Sequence, residues 1–179
     1  NHCYAMSGNY IRYSAAYDSM TRRLNFLLND PIGYEQQMYE EFVEKCKEHN
    51  AFEGYKSKVI VRWNDSGDFF SNRYVKIAEN VINRLKSDGY NVDSYAYTKV
   101  ADVTKNQEFG SATFSADASP SQVKKMSGGE KTAIVVPKTI FKDLNLMKLS
   151  DEKELKKRIA KIYKLNPDNA TSSSNNEVV

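Results

Sequence analysis

Polar side chains able to do chemistry occur at three points of the sequence, each directly after a short run of residues typical of a β-strand. In chain order they are Asp65, Ser66, Gly67 and Asp68, then Lys99, then Ser115 and Asp117. A carboxylate can act as a general base or accept a hydrogen bond from a ring N–H, and two carboxylates can hold Mg²⁺. An ammonium group can neutralise a phosphate. We therefore predict catalytic roles for Asp65, Asp68 and Asp117, and substrate-binding roles for Ser66, Gly67, Lys99 and Ser115.

The same residue types also have a purely structural explanation. Asp, Ser and Gly are favoured in turns because their side chains bond the local backbone or, for Gly, because the backbone is permissive. In parallel α/β sheets, however, ligands bind beyond the carboxyl ends of the strands. Three consecutive strand ends carrying such residues favour a site, and the turn explanation stays open at each single position.

The first two strand ends belong to one predicted strand–helix–strand unit. Residues 59–63 are a β-branched run that breaks at Asn64, and residues 92–98 form a second strand. Between them, Ser71 or Asn72 can cap a helix that Asp88-Gly89 ends. Because parallel strands need such a crossover, this segment predicts a βαβ unit.

The remaining chain extends this pattern on both sides. Two helices precede the unit, over residues 12–29 and 34–48. A third strand is predicted over residues 111–116, and a short helix then runs from Ser119-Pro120 to Met126. A fourth strand covers residues 132–136, and helices follow at 140–144 and 151–165. The predicted fold is α/β: about four mainly parallel strands with crossover helices, as a small open sheet or a half-barrel, preceded by two helices.

Length and composition agree with this organisation. The chain has 179 residues, which is room for one domain with a core. We predict a single α/β domain over residues 1–165 and a disordered Ser/Asn-rich tail over 166–179. The formal net charge of +3 is too small to indicate nucleic-acid binding by itself. No stretch approaches the roughly 20 apolar residues of a membrane helix.

Two weaker motifs predict little. The segment 127–132 ends like a phosphate-binding loop, but it lacks the first glycine at the required spacing and precedes a strand. The two cysteines, Cys3 and Cys46, are too few for a zinc site, and Cys46 lies on the apolar face of a predicted helix. No metal ligand is predicted.

Three segments resemble the bacteriophage family called gene product 88. They are Cys3-Tyr4-Ala5, the run from Trp63 through Ser71, and Tyr95-Ala96-Tyr97-Thr98-Lys99. The resemblance implies a phage origin more than a reaction. It also implies further cysteines and a metal or iron–sulfur centre, whereas this chain has only two cysteines.

A shorter likeness is to transglycosylases that exchange guanine for deazaguanine bases. In those enzymes a strand-end Asp-Ser-Gly-x-Phe segment contacts the heterocycle, and Asp65, Ser66, Gly67 and Phe69 match it. The likeness implies a substrate-binding role for Phe69. No residue of this chain matches the nucleophilic aspartate of those enzymes.

These observations support two hypotheses of different kinds. The first is a phage protein, uncertain as an enzyme, that binds or modifies a nucleobase, nucleotide or nucleic acid through the Asp-Ser-Gly-Asp-Phe segment. The alternative is a non-catalytic virion or accessory protein with an enzyme-like fold. The expected partners are accordingly a nucleotide or nucleic acid, or another phage protein, with no membrane. The cofactor is unknown, and the expected location is the host cytoplasm, or the virion if the protein is structural.

Overall fold

The computed structural model describes residues 13–64, 67–105, 108–127 and 130–133, and single residues 154, 157, 158 and 161. In chain order the elements are α1 (Ser14–Asn29), α2 (Pro31–Glu48), β1 (Val59–Trp63), α3 (Asn72–Ser87), β2 (Val92–Thr98), α4 (Ala101–Lys105), β3 (Ser111–Ser115), α5 (Pro120–Val123) and β4 (Thr132–Ala133). The strands form an open, all-parallel sheet in the order β1-β2-β3-β4. The predicted α/β fold with two leading helices is confirmed.

The strand register places the carboxyl ends of neighbouring strands side by side. Val59 pairs with Val92 at the start of β1 and β2, and Trp63 pairs with Ala96 near their ends. Between β3 and β4, Phe114 pairs with Thr132 and Ser115 pairs with Ala133.

The chain turns sharply between α1 and α2 at Asp30. Its Oδ1 accepts a hydrogen bond from the backbone N–H of Gly33 at 2.9 Å, and Pro31 occupies the first turn of α2. A capping carboxylate and a proline with its φ already suited to a helix both favour helix initiation here. For this reason α2 begins at Pro31, three residues before the predicted start at residue 34.

Helix α3 is the crossover between β1 and β2. Ser71 Oγ accepts from the N–H of Tyr74 at 3.2 Å, which is the predicted cap, and Gly89 follows the helix with a φ of +82°. The inner face of α3 is buried and carries Val75, Ile77, Ala78, Val81, Ile82 and Leu85. The order strand, helix, parallel strand is the predicted βαβ unit.

The residues divide into two compact units. The N-terminal unit contains described residues 13–64, 67–96 and 108–111. Its core includes Trp63, Phe69 and Phe109, all at most 3% exposed. Helices α2 and α3 pack together there, and the Arg84 guanidinium lies 3.7 Å from the centre of the Tyr39 ring.

The C-terminal unit contains described residues 97–105, 112–127, 130–133, 154, 157, 158 and 161. Helix α4 was not predicted. Its first N–H, that of Ala101, donates to Gln122 Oε1 at 2.9 Å, and Asp102 pairs with Lys125 at 2.8 Å. These contacts stabilise a helix too short to be recognised from its own sequence.

Several predicted elements are shorter or lie outside the described residues. Strand β3 ends at Ser115, and α5 ends at Val123 instead of Met126. Residues 132–133 are the described part of the fourth strand. The described part of the last helix is four helical residues, 154, 157, 158 and 161. The predicted helix at 140–144 and the tail at 166–179 lie outside the described residues. Among the helices that are described, none combines the length and apolar character needed to cross a bilayer.

Candidate functional site

The loop after β1 leaves the strand through a left-handed turn. Asn64 has a φ of +52° and Gly67 a φ of +98°, on either side of Asp65 and Ser66, which lie outside the described residues. Asn is one of the few residues with a side chain that adopt this backbone region readily. Both described residues that border this segment thus adopt backbone conformations that suit Asn and Gly.

The side-chain amide of Asn64 is held from one side only. Its Oδ1 accepts a hydrogen bond from the Tyr74 hydroxyl at 2.8 Å, but its buried Nδ2 has no hydrogen-bond partner among the residues that the structure describes. Because a hydroxyl can donate or accept, turning the amide over would still leave one buried polar atom unpaired. A buried polar atom without a partner lowers the free energy of unfolding by about 1–3 kcal/mol, unless a group outside the described residues bonds to it.

Tyr74 is fixed in the first turn of α3. Burial, with a further contribution from nearby Tyr34, raises the pKa of the Tyr74 hydroxyl above its ordinary value. The group therefore stays protonated at neutral pH and able to donate to Asn64. Sequence reasoning missed both Asn64 and Tyr74. The signal that could have found Asn64 is an asparagine directly after a strand and before a turn.

Asp68 and Phe69 follow at the other end of the loop. The half-buried Asp68 side chain accepts a hydrogen bond from the N–H of Phe69 at 2.7 Å. Phe69 is 2% exposed, and its ring centre lies 5.1 Å from that of Tyr74 and 5.3 Å from that of Phe109. The structure thus places Phe69 in the aromatic core, and the substrate-binding role predicted for it stays a prediction.

In the C-terminal unit, Lys99 and Asp117 are brought together. Lys99 Nζ lies 2.7 Å from Asp117 Oδ2, and their side chains are 36% and 28% exposed. Lys99 follows the end of β2 and Asp117 follows the end of β3, where Ser115 is half-buried. The contact is a partly screened ion pair, and the catalytic and binding roles predicted for these three residues stay predictions.

Three other features bear on chemistry: clusters of metal ligands, the Cys46 thiol and the segment that resembles a phosphate loop. No group of three or more His, Cys, Asp or Glu side chains able to hold a metal ion occurs within the described part of the chain. Cys46 is fully buried, as predicted, and burial raises the pKa of its thiol. In the segment that resembles a phosphate loop, the N–H and Oγ of Ser127 both donate to Glu130 Oε1, at 3.0 and 2.7 Å.

Comparison with known proteins bears on the resemblance seen in the sequence. The model of the family described as "Gene product 88" matches residues 1–170. The chain belongs to the gene product 88 family. Membership in this phage gene product family confirms the resemblance and leaves the activity undetermined. The comparisons with curated proteins and with solved structures found no match, and the likeness to base-exchanging transglycosylases is not shown.

Proposed function

We propose that this member of the gene product 88 family binds a nucleobase, as a free base or within a nucleotide, at the loop that follows β1. The observation that carries the proposal is the buried amide nitrogen of Asn64, which has no hydrogen-bond partner within the described ranges of the chain. A buried donor at the carboxyl end of a parallel strand lies where ligands bind in this class of fold. An acceptor atom on a ligand would supply the missing hydrogen bond.

The chemistry of the loop suits the edge of a heterocycle. Base edges present acceptors and donors side by side, and asparagine amides and carboxylates are the side chains that pair with them. Asn64 offers a donor, and Asp65 and Asp68 supply carboxylates in the same segment. In this proposal Asp65 contacts or activates the base, Asp68 orders the loop, and Ser66 and Gly67 allow close backbone approach. The protein would act in the host cytoplasm.

Binding is tested with uncharged nucleosides, so that phosphate charge does not enter the comparison. Trp63 directly precedes Asn64 and is the only tryptophan of the chain, so its fluorescence reports on the loop. In the variant Asn64→Asp the amide donor is replaced by an acceptor of nearly the same shape, and Asp also tolerates a left-handed backbone. We expect at least a tenfold weaker nucleoside affinity. Because the variant also buries a carboxylate oxygen without a donor, some loss of stability is expected, and binding is compared at a temperature at which circular dichroism shows the variant folded.

The matched control is Asn83→Asp, the same chemical change at an exposed position of α3. It should bind like the unaltered protein. If no nucleoside binds, or if Asn64→Asp binds as well as the control, the proposal is wrong. A large loss of stability in Asn64→Asp without any ligand binding would assign the amide to turn structure alone.

The alternative function, a non-catalytic virion or accessory protein, has one observation of its own. Large apolar side chains are exposed along α1, Tyr17 at 67% among them. Surfaces of this kind mark interfaces with other proteins. A stable complex with another phage protein, together with no nucleoside binding, would favour this alternative.

A further inference from the structure

Six large apolar side chains are exposed in a row along α1 and into the first turn of α2. They are Tyr13 (61% exposed), Tyr17 (67%), Met20 (38%), Leu24 (44%), Leu28 (57%) and Ile32 (81%). Their spacing of three or four residues places those on α1 on one face of the helix. We call this surface the α1 ridge. By contrast, Leu27 is the one buried residue of α1, all of whose residues are described.

The extent of the α1 ridge distinguishes it from ordinary surface. Single exposed apolar residues are normal, but a continuous apolar patch of several hundred Å² marks an interaction site. The exposed fractions amount to about three and a half whole side chains, or roughly 700 Å² at about 200 Å² for each large side chain. A standard protein–protein interface buries about 800 Å² on each partner. The ridge alone therefore supplies most of one side of a stable interface.

We propose that the α1 ridge is a homodimer interface in which two copies of α1 pack antiparallel about a two-fold axis. The stripe is self-complementary in this arrangement. With the axis between Met20 and Thr21, Tyr13 lies opposite the partner's Leu28, and Tyr17 lies opposite the partner's Leu24. Each layer then combines a larger side chain with a smaller one, which keeps the separation of the helices even.

The parallel arrangement fits less well. It would bring tyrosine against tyrosine at one end of the stripe and leucine against leucine at the other, so that the helices would diverge. Charge also agrees with a self-contact. The charged residues of α1 are Asp18, Arg22 and Arg23, and at 100° per residue each lies about 100° or more around the helix from the middle of the stripe. No like charges therefore face each other in the middle of the interface.

The first test is sedimentation velocity of the full chain over a concentration series. We expect a monomer–dimer equilibrium, and a dimer dissociation constant at least 100-fold higher in Leu24→Glu, because two carboxylates enter the apolar interface. The control is Ala15→Glu, which places the same side chain at an exposed position on the opposite face of α1. It should dimerise like the unaltered chain.

The second test fixes the register by cysteine cross-linking in a Cys3→Ser background, where Cys46 is buried. Met20→Cys should cross-link to itself. Tyr13→Cys should cross-link to Leu28→Cys when the two variants are mixed, and not to itself.

Three results would overturn the proposal. The unaltered chain could be a monomer at every concentration. A monomer that forms a complex only with a different protein counts as the same result. Tyr13→Cys could cross-link to itself, which would indicate parallel helices. Finally, Leu24→Glu could lower the melting temperature of a monomer by far more than Ala15→Glu, which would mean that another segment of the same chain covers the ridge.

Discussion

Replacing Gly110 by alanine tests the closest backbone approach in the N-terminal unit. Gly110 has a φ of +142°, and a Cβ added there would overlap the backbone oxygen of Ser94 and stand 2.6 Å from Ser94 Oγ. The approach exists because the buried Ser94 hydroxyl donates to the carbonyl of Phe109 while accepting from Trp63 Nε1 at 3.0 Å. Alanine at this position would push on the middle of β2.

The expected loss has two parts. An L-residue in the left-handed region costs about 1–2 kcal/mol, and forcing extra atoms into a packed interior costs about 1–3 kcal/mol. Gly110→Ala should therefore lower the free energy of unfolding by about 2–5 kcal/mol. At about 2–4 °C for each kcal/mol in a chain of this length, the melting temperature should fall by roughly 5–20 °C.

The variant Gly89→Ala separates the backbone cost from the packing cost. Gly89 has a φ of +82°, but an added Cβ would meet nothing within 4 Å, so this variant should show only the backbone cost. Urea unfolding followed by the fluorescence of Trp63, which is 3% exposed, gives both values under the same conditions. Equal losses in the two variants would refute the close contact between Gly110 and Ser94.

Three further experiments test other contacts. Ser94→Ala should lower the free energy of unfolding by about 1–3 kcal/mol, because it leaves the Trp63 indole N–H buried without its acceptor; an unchanged urea midpoint would contradict that hydrogen bond. Burial raises the pKa of Tyr74, so unfolded tyrosine ionises first as the pH rises above about 10 and stability falls there. Urea midpoints measured from pH 8 to 11 should fall less steeply in Tyr74→Phe, and identical slopes would argue against the buried hydroxyl. A double-mutant cycle with Lys99→Ala and Asp117→Ala should give a coupling of about 1 kcal/mol or less that shrinks in high salt, and no coupling at low salt would contradict the ion pair.

The central part of the fold was predictable because its signals are local. The run at residues 59–63, the serine cap at Ser71 and the glycine after α3 each act within a few residues, and together they define the βαβ unit. Helix α4 was not predictable in the same way. Its five residues are too few to show a helical period, and its first N–H is satisfied by Gln122, 21 residues further along the chain.

The sequence indicated which strand ends carry polar side chains, but it did not indicate the contacts that Asn64 makes there. Parallel topology brings strand ends to one edge of a sheet, and the structure does pair Lys99 with Asp117 after successive strands. The hydrogen bond between Asn64 and Tyr74 depends on a positive φ at Asn64 and on how α3 packs against the end of β1. The positive φ has a signal in the residue type, because Asn adopts this region readily, but the packing of α3 against the end of β1 cannot be derived from residue type or spacing. The sequence also did not predict the depth of Phe69 in the aromatic core, which is a result of tertiary packing, and the substrate-binding role predicted for Phe69 stays a prediction.

The two candidate sites are Asn64 in the loop after β1 and the Lys99–Asp117 pair. They differ in the contacts that a ligand would have to displace. An anion approaching Lys99 must compete with a carboxylate already 2.7 Å from the ammonium group, so part of the binding energy would be lost in separating an existing pair. An acceptor approaching Asn64 Nδ2 breaks no hydrogen bond in the described structure and satisfies a buried donor. For equal contacts, the loop after β1 therefore gains more from a ligand than the Lys99–Asp117 pair does.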